Sequence, residues 1–172
     1  MGRDKATLQW RGRPLWEWQI EKLHALRPKK IFVSARSELS WCPADAELIL
    51  DAPPARGPLS GLAAALAATE TDHLLVLAID MPFMTTEQLR LLCNLVTDDI
   101  GVLPMIDGNA EPLAAIYPKK TGAIFSEALQ SEKFSLQPIV RKLINLDLLK
   151  EMPIAGPARE FYRNVNEPCD VD

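Results

Sequence analysis

Histidine and cysteine are scarce in this sequence, with two histidines and three cysteines among 172 residues. His24 and His73 lack metal-ligand spacing, so neither a histidine metal centre nor a histidine catalytic base is indicated. Cys42, Cys93 and Cys169 form no CxxC pair, and three thiols cannot all pair within one chain. This pattern is typical of reduced cytosolic thiols rather than of a disulfide framework.

Long apolar runs are also absent. No stretch approaches 18 consecutive apolar residues, and the opening MGRDKATLQWRGR contains no apolar signal core. The sequence therefore indicates neither a membrane span nor export, and we expect a cytoplasmic protein. The 19 basic residues against 23 acidic residues give a net charge of −4, which opposes non-specific binding to nucleic acid or anionic lipid. The negative net charge does not oppose binding of a small polyanionic substrate, because such a substrate requires only a local basic site.

The length and composition suit a single domain spanning residues 1–172. Hydrophobic residues make up 48% of it, which is enough for a sizeable core. In the first half, strand-like segments at 31–35, 47–50 and 73–79 alternate with helix-like segments at 14–26, at 59–69 and after a capping-box spacing at 85–88. This alternation predicts an α/β fold of three layers, with a mostly parallel sheet and helices on both faces.

The second half has a less regular pattern. Two strands are predicted at 101–105 and 112–117, followed by helices at 119–130 and 136–145. Short extended pieces are predicted near 152–154 and 161–164. There is no internal repeat and no low-complexity linker, so these elements belong to the same domain.

Polar residues follow three of the predicted strands. Ser34 and Arg36 follow the first strand, Asp51 ends the second and Asp80 ends the third, while Lys5 precedes the first helix. In an open parallel sheet, ligands bind beyond the carboxyl ends of the strands. We therefore expect these residues to converge on one site.

Asp80 is the sharpest single signal, because it lies where a fully apolar strand ends and is followed closely by Pro82. A carboxylate in this place can hold Mg²⁺ against phosphate oxygens. An isolated Asp-x-Pro more often caps a turn or a helix, so the hypothesis of a metal site depends on the companions of Asp80.

Three other segments can serve an anionic ligand. Arg3 and Lys5 offer cationic donors near the N-terminus, although a basic terminus is more often simply solvated. The loop at 56–61 has two glycines and leads into a helix N-terminus, which suits an anion or equally a tight loop-to-helix turn. Asn164 and Asn166 share one side if they are extended, or Asn166 caps a helix.

Five segments together resemble the molybdenum cofactor guanylyltransferase (MobA-like NTP transferase) family in order and spacing: MGRDKATLQWRGRPL, ARGPLSGL, the strand ending IDMP, EPLAAIY and FYRNVNEP. The resemblance covers almost the entire chain. It implies a nucleotide-diphospho-sugar transferase-like fold and the transfer of GMP from GTP to molybdopterin, with Mg²⁺ as cofactor and release of pyrophosphate. It also implies cofactor-delivery proteins as partners. The alternatives are a non-catalytic nucleotide- or cofactor-binding module and a related CTP or sugar-phosphate nucleotidyltransferase.

The resemblance also assigns roles to individual residues. Lys5, with Arg3 beside it, matches the lysine of the family's signature loop, and Asp80 matches the magnesium-binding aspartate, which makes Lys5 and Asp80 the expected catalytic residues. Asp51 matches an acidic nucleotide-binding position, and Ser34 falls where relatives have an asparagine. The remaining matches are Gly57, Pro58, Leu59 and Gly61 in a loop near the nucleoside, whose form favours guanylyl members, and Asn164 and Asn166 near the pterin or the metal.

The sequence departs from the family's pattern at the N-terminus. Family members begin with an apolar strand, normally central in the sheet, and a Leu-Ala-Gly-Gly loop, whereas Met1 already occupies the methionine that follows them. We expect a chain without that strand to be poorly stable unless another segment replaces it. We also expect weak GTP binding without the glycine loop. A start codon assigned too late, a shortened chain and a degenerate paralogue are the explanations, and the methionine at the break favours the first.

Overall fold

The computed structural model of the protein describes residues 4–131 and 134–165. Four residues discussed above, Met1, Arg3, Asn166 and Cys169, lie outside these ranges. The helices are α1 (Leu15–His24), α2 (Pro58–Ala68), α3 (Thr86–Leu95), α4 (Gly122–Leu129) and α5 (Leu136–Asn145). The strands are β1 (Gln9–Trp10), β2 (Arg13–Pro14), β3 (Phe32–Ala35), β4 (Glu47–Leu50), β5 (His73–Leu75), β6 (Gly101–Ile106), β7 (Asn109–Ala110), β8 (Ile116–Pro118) and β9 (Leu149–Pro153). Short 3₁₀ segments cover Lys5–Thr7, Lys119–Thr121 and Gly156–Tyr162.

The helix boundaries follow from local chemistry. Helix α2 begins at Pro58, whose fixed φ suits the first helical position, and Gly57 before it has a φ of 64°. The side chain of Thr85 accepts a hydrogen bond from the Gln88 amide, so the predicted cap of α3 is present. None of the helices in the described ranges is both long and apolar enough to cross a membrane.

The strands form an α/β arrangement in which the second half is mixed rather than mostly parallel. β3 and β4 are parallel, as are β6 and β9, but β8 runs antiparallel to both β5 and β6. The connection from β6 to β8 comprises residues 107–115, which is shorter than the dozen or more residues that a parallel crossover requires. The α/β class is confirmed, and the expectation of a mostly parallel sheet is corrected for these strands.

Helices cover both faces of the larger sheet, as the three-layer prediction requires. One apolar cluster joins α2, α4 and α5 to the sheet, with Leu66, Tyr117 and Phe125 among its buried members. A second cluster packs α3 and the last 3₁₀ segment on the sheet through residues such as Leu89 and Tyr162. Two sets of packed side chains therefore position the carboxyl ends of the strands.

Several predicted strands are shorter than expected. The predicted strand 73–79 is regular only over β5, although the amides of Val76 and Ala78 still donate to the carbonyls of Ala115 and Leu113 at 2.8 and 2.7 Å. The predicted strand 112–117 begins only at Ile116, because residues 112–114 form a turn in which the Ala114 amide donates to the Glu111 carbonyl at 3.1 Å. Residues 161–164 are not a strand, since Phe161 and Tyr162 end a 3₁₀ segment.

The sheet is interrupted between β3 and β5. Within the described ranges, β3 pairs only with β4, and β5 pairs only with β8. A cavity of about 1740 Å³ separates β3 and β5, and residues 31–35 and 73–79 line its two walls. The His73 Nε2 atom is buried with no hydrogen-bond partner in the described part of the chain. The cavity is the space in which one more strand would pair with both edges.

Candidate active site

Lys5 and Asp80 meet at one end of this cavity although 75 residues separate them in the sequence. The Lys5 Nζ atom lies 3.0 Å from the Asp80 Oδ2 atom, and the side chains are 42% and 21% exposed. The expected convergence of these two residues is therefore present. A partly accessible cation beside a carboxylate is suited to a phosphate group and its counter-ion.

A network around Asp4 fixes the turn that carries Lys5. Asp4 accepts a hydrogen bond from the Ala6 amide at 3.0 Å through Oδ1 and one from the Trp41 indole at 2.8 Å through Oδ2. Trp41 stacks on Trp16 of α1 with ring centroids 5.5 Å apart. Sequence reasoning missed Asp4 and Trp41. The only sequence signal was an aspartate in a position that suits a cap, since a contact over 37 residues leaves no local pattern.

The C-terminal end of the described chain lies against Asp80. The Val165 amide donates to the Asp80 carbonyl at 2.8 Å, which brings the exposed neighbour Asn164 beside the aspartate. The expectation that Asn164 lies near the pterin or the metal stays a prediction.

The carboxylate of Asp80 fits a magnesium ion that is held partly by its substrate. Mg²⁺ usually binds one or two protein oxygens together with phosphate oxygens and water. Asp80 supplies a partly buried carboxylate, and the backbone of Val165, which follows Asn164, is bonded to the Asp80 carbonyl. Residues 4–131 and 134–165 hold no group of three or more His, Cys, Asp or Glu that would form a closed protein cage.

Ser34, Asp51 and Gly61 form a second part of the site. The Ser34 hydroxyl at the end of β3 donates to Asp51 Oδ1, directly after β4, at 2.8 Å. Helix α2 approaches this pair so closely that a Cβ on Gly61 would lie 2.2 Å from Ser34 Oγ and 3.1 Å from Asp51 Oδ1. Only glycine permits this contact between the helix and the two strand ends.

We predict that Gly61→Ala weakens nucleotide binding, because the new methyl group must displace Ser34 and break its hydrogen bond to Asp51. Loss of one such bond corresponds to roughly a 3- to 10-fold lower affinity. Isothermal titration with GTP measures the effect. The matched control is Gly122→Ala, where the nearest atom is Leu66 Cβ at 3.5 Å, an ordinary contact. Equal affinities for the two variants would contradict the role given to Gly61.

The loop that enters α2 has a fixed shape. Ser60 Oγ accepts from the Arg56 amide at 2.7 Å and donates to the Pro54 carbonyl at 2.9 Å. Gly57 and Pro58 line the cavity, as expected for nucleotide-binding residues. Leu59 does not, because its side chain is fully buried in the core under α2. The side chain of Leu59 therefore packs in the core, and the expected nucleotide contact of Leu59 stays a prediction.

Lys22 on α1 contacts the segment around Asp80 (residues 78–82), and its amino group has a lowered pKa. Its Nζ atom donates to Gln19 Oε1 at 2.9 Å and to the Pro82 carbonyl at 2.8 Å. Burial lowers the pKa of Lys22 from 10.5 to about 8, since the charged form loses solvation.

We predict that Lys22 makes the protein more stable as the pH rises from about 8 to 10.5. In this range the unfolded chain retains the proton that the folded chain has released, so the free energy of unfolding increases with pH. Below pH 8 both states are protonated and the cost of the buried charge is fully present. Urea midpoints for the wild type and Lys22→Met between pH 7 and 10.5 isolate this contribution. Parallel curves for the two proteins would contradict it.

The fold that surrounds this site is that of the nucleotidyltransferases. The structure aligns with molybdopterin-guanine dinucleotide biosynthesis protein A from Archaeoglobus fulgidus at a TM-score of 0.77 and 24% identity, covering 99% of this chain and 88% of that one. It aligns with 2-C-methyl-D-erythritol 4-phosphate cytidylyltransferase from Thermus thermophilus at a TM-score of 0.71 and 16% identity, covering 97% and 90%. These likenesses confirm the nucleotide-diphospho-sugar transferase fold.

Residues 1–146 match the MobA-like NTP transferase domain, and the chain belongs to that family. A probable molybdenum cofactor guanylyltransferase from Opitutus terrae is 30% identical, with 100% of this chain and 87% of the relative aligned. A protein with the same description from Bacillus licheniformis is 27% identical over 99% of this chain and 88% of its own length. The predicted family and the prediction of a transferase enzyme are confirmed.

Proposed function

We propose that this protein transfers GMP from GTP to molybdopterin and releases pyrophosphate, with Mg²⁺ as cofactor. The observation that carries the proposal is the Lys5–Asp80 pair at 3.0 Å, which lies on the same cavity as Ser34, Asp51 and Gly61. The names of the curated relatives support the choice of guanylyl transfer.

Different residues would bind the triphosphate and the nucleoside of GTP. Lys5 would donate hydrogen bonds to phosphate oxygens and compensate the charge that develops on the leaving pyrophosphate. Asp51, with Ser34 beside it, would accept hydrogen bonds from N–H or O–H groups of the nucleoside. The N-terminus of α2 after Gly57 adds the partial positive charge of a helix end.

The transfer requires no protein nucleophile. A phosphate oxygen of molybdopterin attacks the α-phosphorus of GTP in line, and the bond from that phosphorus to the oxygen bridging the β-phosphorus breaks. Asp80 and Asn164 would hold Mg²⁺, which when bound neutralises phosphate charge and aligns the leaving group. Catalysis then consists of positioning and electrostatic stabilisation.

The proposal extends to the location and partners of the protein. We propose a cytoplasmic location, with cofactor-delivery proteins that exchange molybdopterin with the site. Among the described residues, Cys42 and Cys93 are free thiols, which supports a reducing compartment.

A thermal-shift series with GTP, CTP and ATP in the presence of Mg²⁺ tests the choice of nucleotide. GTP at 100 times its Kd would stabilise the folded chain by about 2.7 kcal/mol, and the other nucleotides at the same concentration by less. Asp51→Asn should reduce the shift with GTP. A larger shift with CTP would favour a cytidylyltransferase, and the absence of a shift with any nucleotide would favour a non-catalytic role.

A further inference from the structure

We infer that Gln19 on α1 is a positioning residue for Asp80, because its side-chain amide holds the backbone on both sides of the aspartate. The catalytic consequence rests on the proposed function, in which Asp80 takes part in nucleotidyl transfer. The structural consequence does not, and it can be measured without any substrate.

The contacts of Gln19 converge on one short segment. Its Nε2 atom donates to the carbonyls of Ala78 and Met81 at 2.9 Å each and lies 3.4 Å from the carbonyl of Ile79. These carbonyls belong to residues within two positions of Asp80, on both sides of it. The two short bonds account for both N–H groups of the amide.

Lys22 extends this arrangement by one turn of the helix. Its Nζ atom donates to Gln19 Oε1 at 2.9 Å, which orients the amide so that Nε2 faces the segment, and to the Pro82 carbonyl at 2.8 Å. The two α1 side chains therefore contact carbonyls from residue 78 to residue 82.

The segment has other contacts, since the Val165 amide donates to the Asp80 carbonyl at 2.8 Å and the Met84 amide to the Met81 carbonyl at 3.2 Å. Past Leu75 it is no longer a regular strand, and the amides of Val76 and Ala78 bond to the carbonyls of residues 115 and 113 on the β8 side. Gln19 is only 4% exposed and Met81 only 2%, so little water reaches the Met81 carbonyl to replace a lost donor. An apolar side chain would fill the same space but could not hold these carbonyls in place.

These contacts explain why a polar residue lies on the buried face of α1. We expect a specific catalytic defect when they are lost, because a displacement of about 1 Å in a catalytic group can lower a rate on the order of 100-fold. The nucleoside contacts proposed for Asp51 and Gly61 lie on other elements, so the KM for GTP should change little.

The test compares Gln19→Met with Gln88→Met. Methionine keeps the approximate length and volume but removes the donors. Gln88 is a matched control because it is also buried, at 7% exposed, and its Nε2 atom donates to the Tyr162 hydroxyl at 2.9 Å rather than to the Asp80 segment. If Gln19→Met does not fold, Gln19→Glu replaces it, since glutamate keeps the shape, loses the N–H donors and retains a partner in Lys22.

Amide hydrogen exchange of residues 78–81 is the readout that needs no activity. We expect exchange at least about 10-fold faster than in the wild type for the Gln19 variant and unchanged exchange there for Gln88→Met. In the transfer assay, kcat should fall roughly 10- to 100-fold for the Gln19 variant, with the KM for GTP within about twofold.

Two results would overturn the inference: equal exchange at residues 78–81 in the two variants, or equal loss of kcat. If the wild type itself catalyses no transfer, the proposed function fails, whereas the exchange result still decides whether Gln19 holds the segment.

Discussion

Replacing Asp80 with asparagine is expected to lower kcat for Mg²⁺-dependent nucleotidyl transfer by at least roughly 100-fold. The change keeps the shape of the side chain but removes the charge that pairs with Lys5 at 3.0 Å and that would bind the metal. Pyrophosphate release from GTP in the presence of molybdopterin measures the effect. Lys5→Ala should lower the same rate strongly, and the double variant should lose less than the two single losses multiplied, because the residues act as one unit.

The control for this prediction is Asp99→Asn. Asp99 also pairs with a lysine, since Lys120 Nζ lies 2.6 Å from its Oδ1 atom, but this pair is exposed and lies away from the cavity. An exposed pair contributes little to stability, so the variant should fold and retain full activity. If the Asp80→Asn variant keeps wild-type activity, Asp80 has no catalytic role.

Filling the cavity between β3 and β5 is expected to have the largest effect on stability. An N-terminal extension of about five apolar residues followed by Leu-Ala-Gly-Gly should pair with both strand edges and raise the free energy of unfolding by roughly 2–5 kcal/mol. For the five apolar strand residues, side-chain burial of about 1.5–3 kcal/mol each exceeds the about 1–2 kcal/mol of backbone freedom that each loses on pairing. Urea denaturation of the extended and original chains measures the difference.

The matched control is an extension of equal length made of glycine and serine. It has the same reach but buries no apolar side chains between residues 31–35 and 73–79, so it should leave the unfolding midpoint unchanged. Equal midpoints for the two extended chains would show that the cavity does not accept a strand.

Much of the architecture could be predicted because local signals and tertiary packing agree. Helix α5 occupies the predicted residues 136–145, and α2 is displaced by one residue from its predicted range. The orientation of β8 could not be predicted, because an apolar run carries no information about the direction of its neighbours. The β1–β2 hairpin was missed, although Arg11 and Gly12 both have positive φ values, as a tight two-residue turn requires.

The residues of the candidate site likewise include some that the sequence could predict and others that it could not. Lys5, Ser34, Asp51 and Asp80 could be selected because polar residues at strand ends and loop starts gather at one edge of an α/β sheet. The positions of Gln19 and Asp4 in the site could not be predicted, since their partners are side chains or carbonyls many residues away. The burial of the Leu59 side chain could not be predicted, because a loop motif does not show which side chain turns into the core.

Analysis of the reaction product tests the central claim most directly. The protein is incubated with molybdopterin, Mg²⁺ and an equal mixture of GTP and CTP, and the pterin products are identified by mass spectrometry. We predict a pterin dinucleotide that contains guanosine, formed together with one equivalent of pyrophosphate and absent with Asp80→Asn. A cytidine product, or no dinucleotide from the wild-type chain, would contradict the account.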